Sequence, residues 1–378
     1  MKWRIPLFKS YWDEDDIESV TKIIKRGTHW AAGPEIEKFE KKIADFIGKK
    51  YALSFNSGTS ALHSVLIAHG INSGEVIVPS FTFISTSNSV VLAGAKPVFA
   101  ETEEESYGLD AEDIKDKLTK KTKAIIPIHY GGLVSRDIKA IKEISEDNNI
   151  LLIEDAAESL GAKMDGKMAG TFGPSAMFSF CQNKIITTGE GGAIVTDSEK
   201  IYQKLKLLRS HGRVEIKPGD YFSTTKNMDY THIGYNFRMS TISAALGLSQ
   251  LKKINKNIEM RRKNAKYFNE KLSKIPKIKT MKESKNQYHI YQMYTIQLKN
   301  GRDRDRLQNH LKKAGIMTKV YFEPIHLKTF YKKEYKYKEG DLPKTEELSK
   351  KVLTIPLYPS LTLSEIDYIV DKIIDCIG

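Results

Sequence analysis

Lys184 stands in the run Phe178-Ser179-Phe180-Cys181-Gln182-Asn183-Lys184, and Thr187-Thr188-Gly189-Glu190-Gly191-Gly192 follows it. Twenty-nine residues upstream, Asp155 closes an apolar run inside Glu154-Asp155-Ala156-Ala157-Glu158. A lysine alone is ordinarily solvated surface charge. A lysine that follows a strand-end carboxylate in this order has a more specific use. Pyridoxal phosphate needs an amine for its Schiff base and an acid partner for its pyridine nitrogen, and this pair suits it. Asp155 would keep the ring nitrogen protonated and the ring an electron sink; its other reading is a helix cap. Glu158 would reach the ring hydroxyl across a tight turn. Lys184, freed by an incoming amine, would serve as general base and acid between substrate carbon and cofactor.

A phosphate needs its own cradle. Asn56-Ser57-Gly58-Thr59-Ser60-Ala61 follows a predicted strand and opens a predicted helix. Free N–H groups and the helix dipole suit an anion there, and Thr59 and Ser60 add hydroxyls; a plain N-cap is the commoner meaning of such a run. Ser179 is a further donor, and Cys181 reads as packing. Gly189, Gly191 and Gly192 suggest a tight turn with close backbone approach. In Pro79-Ser80-Phe81-Thr82-Phe83 an aromatic would stack on a flat ring, although the residues alone favour core positions for both phenylalanines. Gly234-Tyr235-Asn236-Phe237-Arg238-Met239 reads as a loop and a helix start.

The elements that must position these residues alternate. Strands are predicted at 51–55, 75–78, 96–99, 124–128, 150–154, 176–180 and 193–196. Helical patterns lie at 14–26, 35–47, 59–69, 82–93, 110–117, 136–147 and 198–209. Such alternation argues an α/β fold with a mostly parallel sheet covered on both faces. Sites in such sheets gather beyond the carboxyl ends of strands, where Asp155 and Lys184 both fall. Residues 212–232 read as irregular, with a turn at Pro218-Gly219-Asp220. A helix at about 240–251 and a long helical pattern at 256–274 lead to a strand at 291–298 and helices at 303–313 and 363–374. The chain is expected to divide into a large domain, 1–251, with an N-terminal helical segment, and a smaller C-terminal domain, 252–378.

Composition narrows the classes. A chain of 378 residues suits a large domain plus a smaller one. No apolar run spans a bilayer, and Met1 to Asp16 lacks the apolar core of a signal peptide, so no membrane insertion is expected. Two distant cysteines, Cys181 and Cys376, argue against a disulfide framework and for a reducing cytoplasm. The net charge of +13 reads as a lysine-rich solvated surface with interleaved acids. No nucleic-acid-binding motif and no metal-ligand cluster stands out.

Taken in order, these pieces resemble the DegT/DnrJ/EryC1/StrS family of nucleotide-sugar aminotransferases. The likeness is carried by Gly33-Pro34-Glu35, the runs at 56–60, 79–83, 154–158 and 178–192, His211-Gly212, the run at 234–238, and Pro324-Ile325-His326-Leu327. It implies a fold-type-I aminotransferase: a large domain with a mostly parallel seven-stranded sheet and a smaller α+β domain. It implies pyridoxal 5'-phosphate, with pyridoxamine phosphate formed in turnover, and a homodimer with shared active sites. By that likeness Lys184 carries the Schiff base, Asp155 meets the ring nitrogen, and Glu158 lies near the ring hydroxyl, where many relatives carry glutamine. Phe83 takes the ring-stacking position, Gly58, Thr59, Ser60 and Ser179 match the phosphate site, and Asn236 reaches the phosphate from the other subunit. Trp30, Ala31, Tyr321 and His326 fall in segments that line the sugar pocket.

The reaction implied is ping-pong: glutamate gives its amine, and a nucleotide-linked 4-keto-6-deoxyhexose receives it. The runs at 185–192 and 235–240 look more like the C4-aminating group, including perosamine synthases, and point to GDP-4-keto-6-deoxymannose as acceptor. The close alternative is a C3 aminotransferase acting on a dTDP-linked 3-keto sugar. A more distant one is a non-catalytic regulator on the same fold. Members that replace the lysine by histidine are dehydratases, and Lys184 argues against that branch.

Overall fold

Residues 3–214 and 228–377 are described by the computed structural model of the chain. The turn expected at Pro218-Gly219-Asp220 lies outside them. Among the described residues, nine strands lie between Tyr51 and Thr196: β1 (Tyr51–Phe55), β2 (Glu75–Pro79), β3 (Lys96–Ala100), β4 (Thr122–Ile125), β5 (Leu151–Asp155), the short pair β6 (Lys163–Met164) and β7 (Lys167–Met168), β8 (Ser175–Ser179) and β9 (Gly192–Thr196). Seven of them form one sheet in the order β1-β9-β8-β5-β4-β2-β3. β9 runs antiparallel to both neighbours, and the other pairings are parallel. The mostly parallel sheet expected from the alternation is therefore present, with the seven strands that the resemblance implies.

The strands read as continuous apolar runs because both faces are covered. On one face α2 (Pro34–Ile47) sends Phe39 and Ile43 against Phe178, Phe180 and Val195. On the other, α3 (Gly58–Ala68), α4 (Ser85–Leu92) and α7 (Glu199–Arg209) bury Leu62, Val65, Val90 and Leu205 against Val76, Val78 and Ile153. α5 (Ala111–Lys117) and α6 (Ile138–Asp147) pack Ile114 and Ile141 on Ile77, Ile125 and Leu152. The chain enters this layer through α1 (Glu14–Arg26), whose start is closed by reciprocal Asp13 and Asp16 bonds and whose end is Gly27 at φ 75°.

β4 was expected at 124–128 but ends at Ile125. Pro127 has no N–H to donate, and its carbonyl accepts from Asp155 N at 2.9 Å, so the chain swings toward the end of β5. That deviation helps to hold Asp155.

Beyond α8 (Thr241–Lys252) comes α9 (Ile254–Leu272). Its first turns place Ile254 and Ile258 in the core under the sheet, and its last place Phe268 and Leu272 in a separate core. That second core joins β12 (Tyr294–Gln297) and β13 (Val352–Ile355) to α10 (Gly301–Lys313) and α13 (Leu363–Ile377). β10 (Lys279–Thr280) completes the three-stranded sheet β10-β12-β13, while β11 (Gln287–Tyr288) pairs back onto β6. α11 (Thr329–Tyr335) and α12 (Pro343–Lys351) fill the remaining connection. Ile5, from the chain start, packs in this second core and bridges Ile316.

Two histidines are locked neutral by this packing. His289 is sealed beside Tyr291, its Nδ1 accepts from Tyr291 N at 3.1 Å, and burial holds its pKa down at about 3. His69, bonded to Ser175 Oγ at 2.9 Å, is held at about 4 by burial and by Lys204. Unfolding returns both rings to the ordinary value near 6.5, so below that pH the unfolded chain binds more protons. The stability they contribute is therefore present above pH 6.5 and is lost as pH falls toward 4 and then 3. Each group costs about 1.4 kcal/mol per pH unit in that window. Thermal melts should show a midpoint several degrees lower at pH 5 than at pH 7.5, and a shallower pH slope for His289→Gln. Parallel slopes for the two proteins would contradict the assignment.

Candidate active site

A cavity of about 460 Å³ opens beyond the carboxyl ends of β5 and β8. Gly58 and Thr59 at the start of α3, Phe83 after β2, Asp155, Glu158, Ser179, Lys184 and Tyr321 all line it. A larger hollow of about 580 Å³ lies between α6 and β5, but its one lysine and one glutamate, Lys142 and Glu146, pair with each other at 3.1 Å. It has no convergent set of reactive groups.

Asp155 ends β5 and is buried. Thr86 Oγ1 donates to its Oδ2 at 2.7 Å, and Ala157 N donates to its Oδ1 at 3.2 Å. Burial raises its pKa, while the Thr86 and Ala157 bonds, Lys184 and His129 pull it down. Behind it, Glu154 points to the opposite side of the strand and is sealed. It accepts from the N–H groups of Gly170, Phe172 and Gly173, each at 2.7 Å, and pairs with His129 Nε2 at 2.9 Å. Ser135 N donates to His129 Nδ1 at 3.1 Å, which leaves Nε2–H to face Glu154. Glu154 thus ties down the loop before β8 and orients His129, which lines the cavity.

Glu158 follows on the tight turn after β5. Gly131 N donates to its Oε2 at 2.9 Å, and its Oε1 lies 3.6 Å from Lys184 Nζ. Burial raises the Glu158 pKa against the pull of Lys184 and of the Gly131 bond. Lys184 is fixed in turn by its loop: Lys184 N donates to Cys181 O, and Gln292 Nε2 donates to Asn183 O at 2.6 Å.

The start of α3 also lines the cavity. Ser57 Oγ caps Ser60 N at 3.1 Å, and Ala61 N bonds Ser57 O. The N–H groups of Gly58 and Thr59 have no acceptor among the described residues and belong to cavity-lining residues. Ser179 lies against Gly58, where a Cβ would meet Met177 Sδ at 3.1 Å and Ser179 Cβ at 3.3 Å. On the other side Gly192 lets β9 approach this turn, since a Cβ there would meet Gly58 N and Ser57 O at 2.6 Å. Two open amides at a helix start, with Thr59 and Ser179 hydroxyls nearby, are donors of the kind a phosphate monoester requires. A buried carboxylate, a lysine and this cradle on the walls of one cavity fit pyridoxal phosphate.

The structure sorts the other expectations. Phe81 is fully buried, but Phe83 is 60% exposed and lines the cavity, against the core position favoured by residue type. Ser60 is turned to Ser57 Oγ at 2.9 Å and does not line it. Asn236 is exposed, its carbonyl near Asn56 Nδ2 at 3.4 Å, and does not line the cavity of its own chain. Ala31 lines a separate small hollow with Arg209 and Arg238, and Trp30 Nε1 donates to Ile23 O at 3.1 Å; neither reaches the cavity. His326 needs correction as a pocket residue. It is fully buried between Ser80 Oγ at 2.7 Å and Glu346 Oε1 at 3.1 Å, so both ring nitrogens are already used. Thr86, His129, Phe8 and Lys319 are site residues that sequence reasoning missed. Thr86 alone carried a signal, lying one helical turn after Phe83; Phe8 and Lys319 come from segments remote in the chain.

Residues 10–374 match the DegT/DnrJ/EryC1/StrS aminotransferase family. The GDP-perosamine synthase of Caulobacter vibrioides is 36% identical over 349 residues, covering 91% of each chain. That of Escherichia coli O157:H7 is 34% identical over 372 residues, covering 98% of this chain and 97% of its own. Among solved structures, PseC of Helicobacter pylori, an aminotransferase involved in the biosynthesis of pseudoaminic acid, superposes with a TM-score of 0.91. It is 26% identical, and the match covers 100% of this chain and 99% of that one.

Proposed function

Because the chain belongs to the DegT/DnrJ/EryC1/StrS aminotransferase family, we propose that it moves an amino group from glutamate to C4 of a nucleotide-linked 4-keto-6-deoxyhexose, GDP-4-keto-6-deoxymannose being the first candidate. The enzyme is a pyridoxal-phosphate-dependent nucleotide-sugar aminotransferase with the fold-type-I architecture. The observation that carries the proposal at the residue level is Lys184 Nζ, 3.6 Å from Glu158 Oε1 on a wall shared with Asp155. Similarity to two GDP-perosamine synthases across nearly the whole chain supports the C4 position and the GDP sugar.

Pyridoxal phosphate supplies an electrophilic aldehyde and an electron-withdrawing ring. In this reading Lys184 Nζ would hold it and would then move the proton to and from the substrate carbon. Asp155, buried, would hold a proton on the ring nitrogen through a charge-assisted bond. Glu158, which faces Lys184, would also meet the ring hydroxyl. Phe83 would cover the ring, and Gly58, Thr59 and Ser179 would take the phosphate. The substrates are small molecules, glutamate and a nucleotide sugar.

The proposal includes a homodimer with shared sites and a cytoplasmic location. Exposed Asn236 beside the phosphate turn, with Trp30 47% and Ile233 88% exposed, supports a second copy covering this face and bringing Asn236, Trp30 and Ala31 to the partner's cavity. No helix of the described residues is long and apolar enough to cross a membrane. It also includes a division of the chain after residue 251, supported by the separate core that begins late in α9.

The test is an absorbance spectrum of the pyridoxamine-phosphate-loaded protein before and after GDP-4-keto-6-deoxymannose. Return of the pyridoxal-form band, with the new amine at C4 by NMR, is the expected result. A silent spectrum from protein that had responded to glutamate would overturn the acceptor assignment and direct the search to dTDP- or UDP-linked sugars or a 3-keto acceptor.

A further inference from the structure

We propose that Lys319 receives the diphosphate of the nucleotide sugar where it crosses the mouth of the cavity, an inference that rests on the nucleotide-sugar reading above. Among the described residues Lys319 and Lys184 are the two lysines that line the cavity, and no arginine does. Lys184 faces Glu158 in the interior. Lys319 is exposed at the rim, with Nζ 4.6 Å from the centroid of the Tyr321 ring. Its backbone is anchored to β13, where Lys319 N donates to Thr354 O at 3.1 Å and Thr354 N donates to Lys319 O at 2.8 Å. No carboxylate of the described residues lies within ion-pairing distance of its ammonium, and the carboxylate of nearby Glu323 is taken by Lys328. Most lysines of so basic a chain are solvated charge. This one differs in being anchored at its backbone, tethered over an aromatic ring, unpaired and placed on a cavity rim. The aromatic tether limits the freedom of the long side chain yet leaves its N–H donors available.

Size decides which anion comes to it. A cavity of about 460 Å³ has to take the cofactor and the reacting sugar. The nucleoside then lies outside, and the diphosphate between sugar and nucleoside must pass the rim. Glutamate is small enough to sit wholly inside, against the inner wall. An ammonium at the rim therefore meets phosphate oxygens through a charge-assisted bond.

The test uses the cofactor-loaded protein and calorimetric titration with GDP, UDP and dTDP, following the one that wild type binds most tightly. K319Q should weaken that binding about tenfold, the loss of one charge-assisted contact. K319R should restore it to within about threefold, and added salt should weaken wild-type binding more steeply than K319Q binding. The proposal is overturned if none of the three binds wild type, if K319Q binds as wild type does, or if K319R is as weak as K319Q. It is also overturned if K319Q loses affinity for glutamate while its diphosphate affinity stands. The absorbance response of wild type to glutamate is read in parallel. Its absence would sink the aminotransferase reading itself, whereas its presence with diphosphate binding indifferent to residue 319 would sink this proposal alone.

Discussion

Lys184→Ala is expected to lose glutamate-dependent amino transfer by a factor on the order of 10⁴ or more, the scale seen when a covalent catalyst is removed. Among the described residues the inner wall offers no second amine: Lys319, the other described lysine lining the cavity, is at its rim. The same variant removes the cation 3.6 Å from Glu158 Oε1, so the buried Glu158 carboxyl should move to a still higher pKa. Cofactor held only by the phosphate cradle and by Asp155 should be lost on dialysis, along with the absorbance band of the wild-type protein. Turnover near the wild-type rate in the alanine variant would end the assignment of Lys184.

Asp155→Asn is the second large effect. Asparagine has the shape of aspartate, and its oxygen still accepts from Thr86 or from Ala157 N, so the fold around β5 should persist. The charge does not. A neutral amide holds the proton on a pyridine nitrogen far less well, and removing one preorganised electrostatic partner costs on the order of 10²–10³ in rate. The expected protein is folded, binds cofactor with an altered spectrum and is crippled in both half-reactions. Wild-type turnover would reduce Asp155 to a cap for the turn at 156–158.

The pair Lys184 and Asp155 was legible before any coordinates because both lie at predicted strand ends. In a mostly parallel sheet strand ends share one rim, so order along the chain translates into proximity. The glycines around Lys184 were legible for the same kind of reason: Gly192 has to let β9 pass within contact of Ser57 and Gly58, a backbone demand that residue type reports. Phe81 and Phe83 were not separable by type. Both are apolar, and only the path of the chain after β2 decides that Phe81 faces the core while Phe83 faces the cavity.

Residue type and periodicity by themselves determined a mostly parallel sheet built from the predicted strands, the helices that cover it, and the lysine, carboxylates and helix start that suit pyridoxal phosphate. These are local signals, each read within a strand, a helix or a turn. Only the tertiary structure decided what residues far apart in the chain do for one another. It brought Phe8 and Lys319 to the same cavity, set Thr86 on Asp155, used Glu154 to orient His129, and withdrew His326 behind Ser80 and Glu346. Packing makes those choices, because a side chain's partners in three dimensions depend on how whole elements pack, and that is written in no short stretch of sequence.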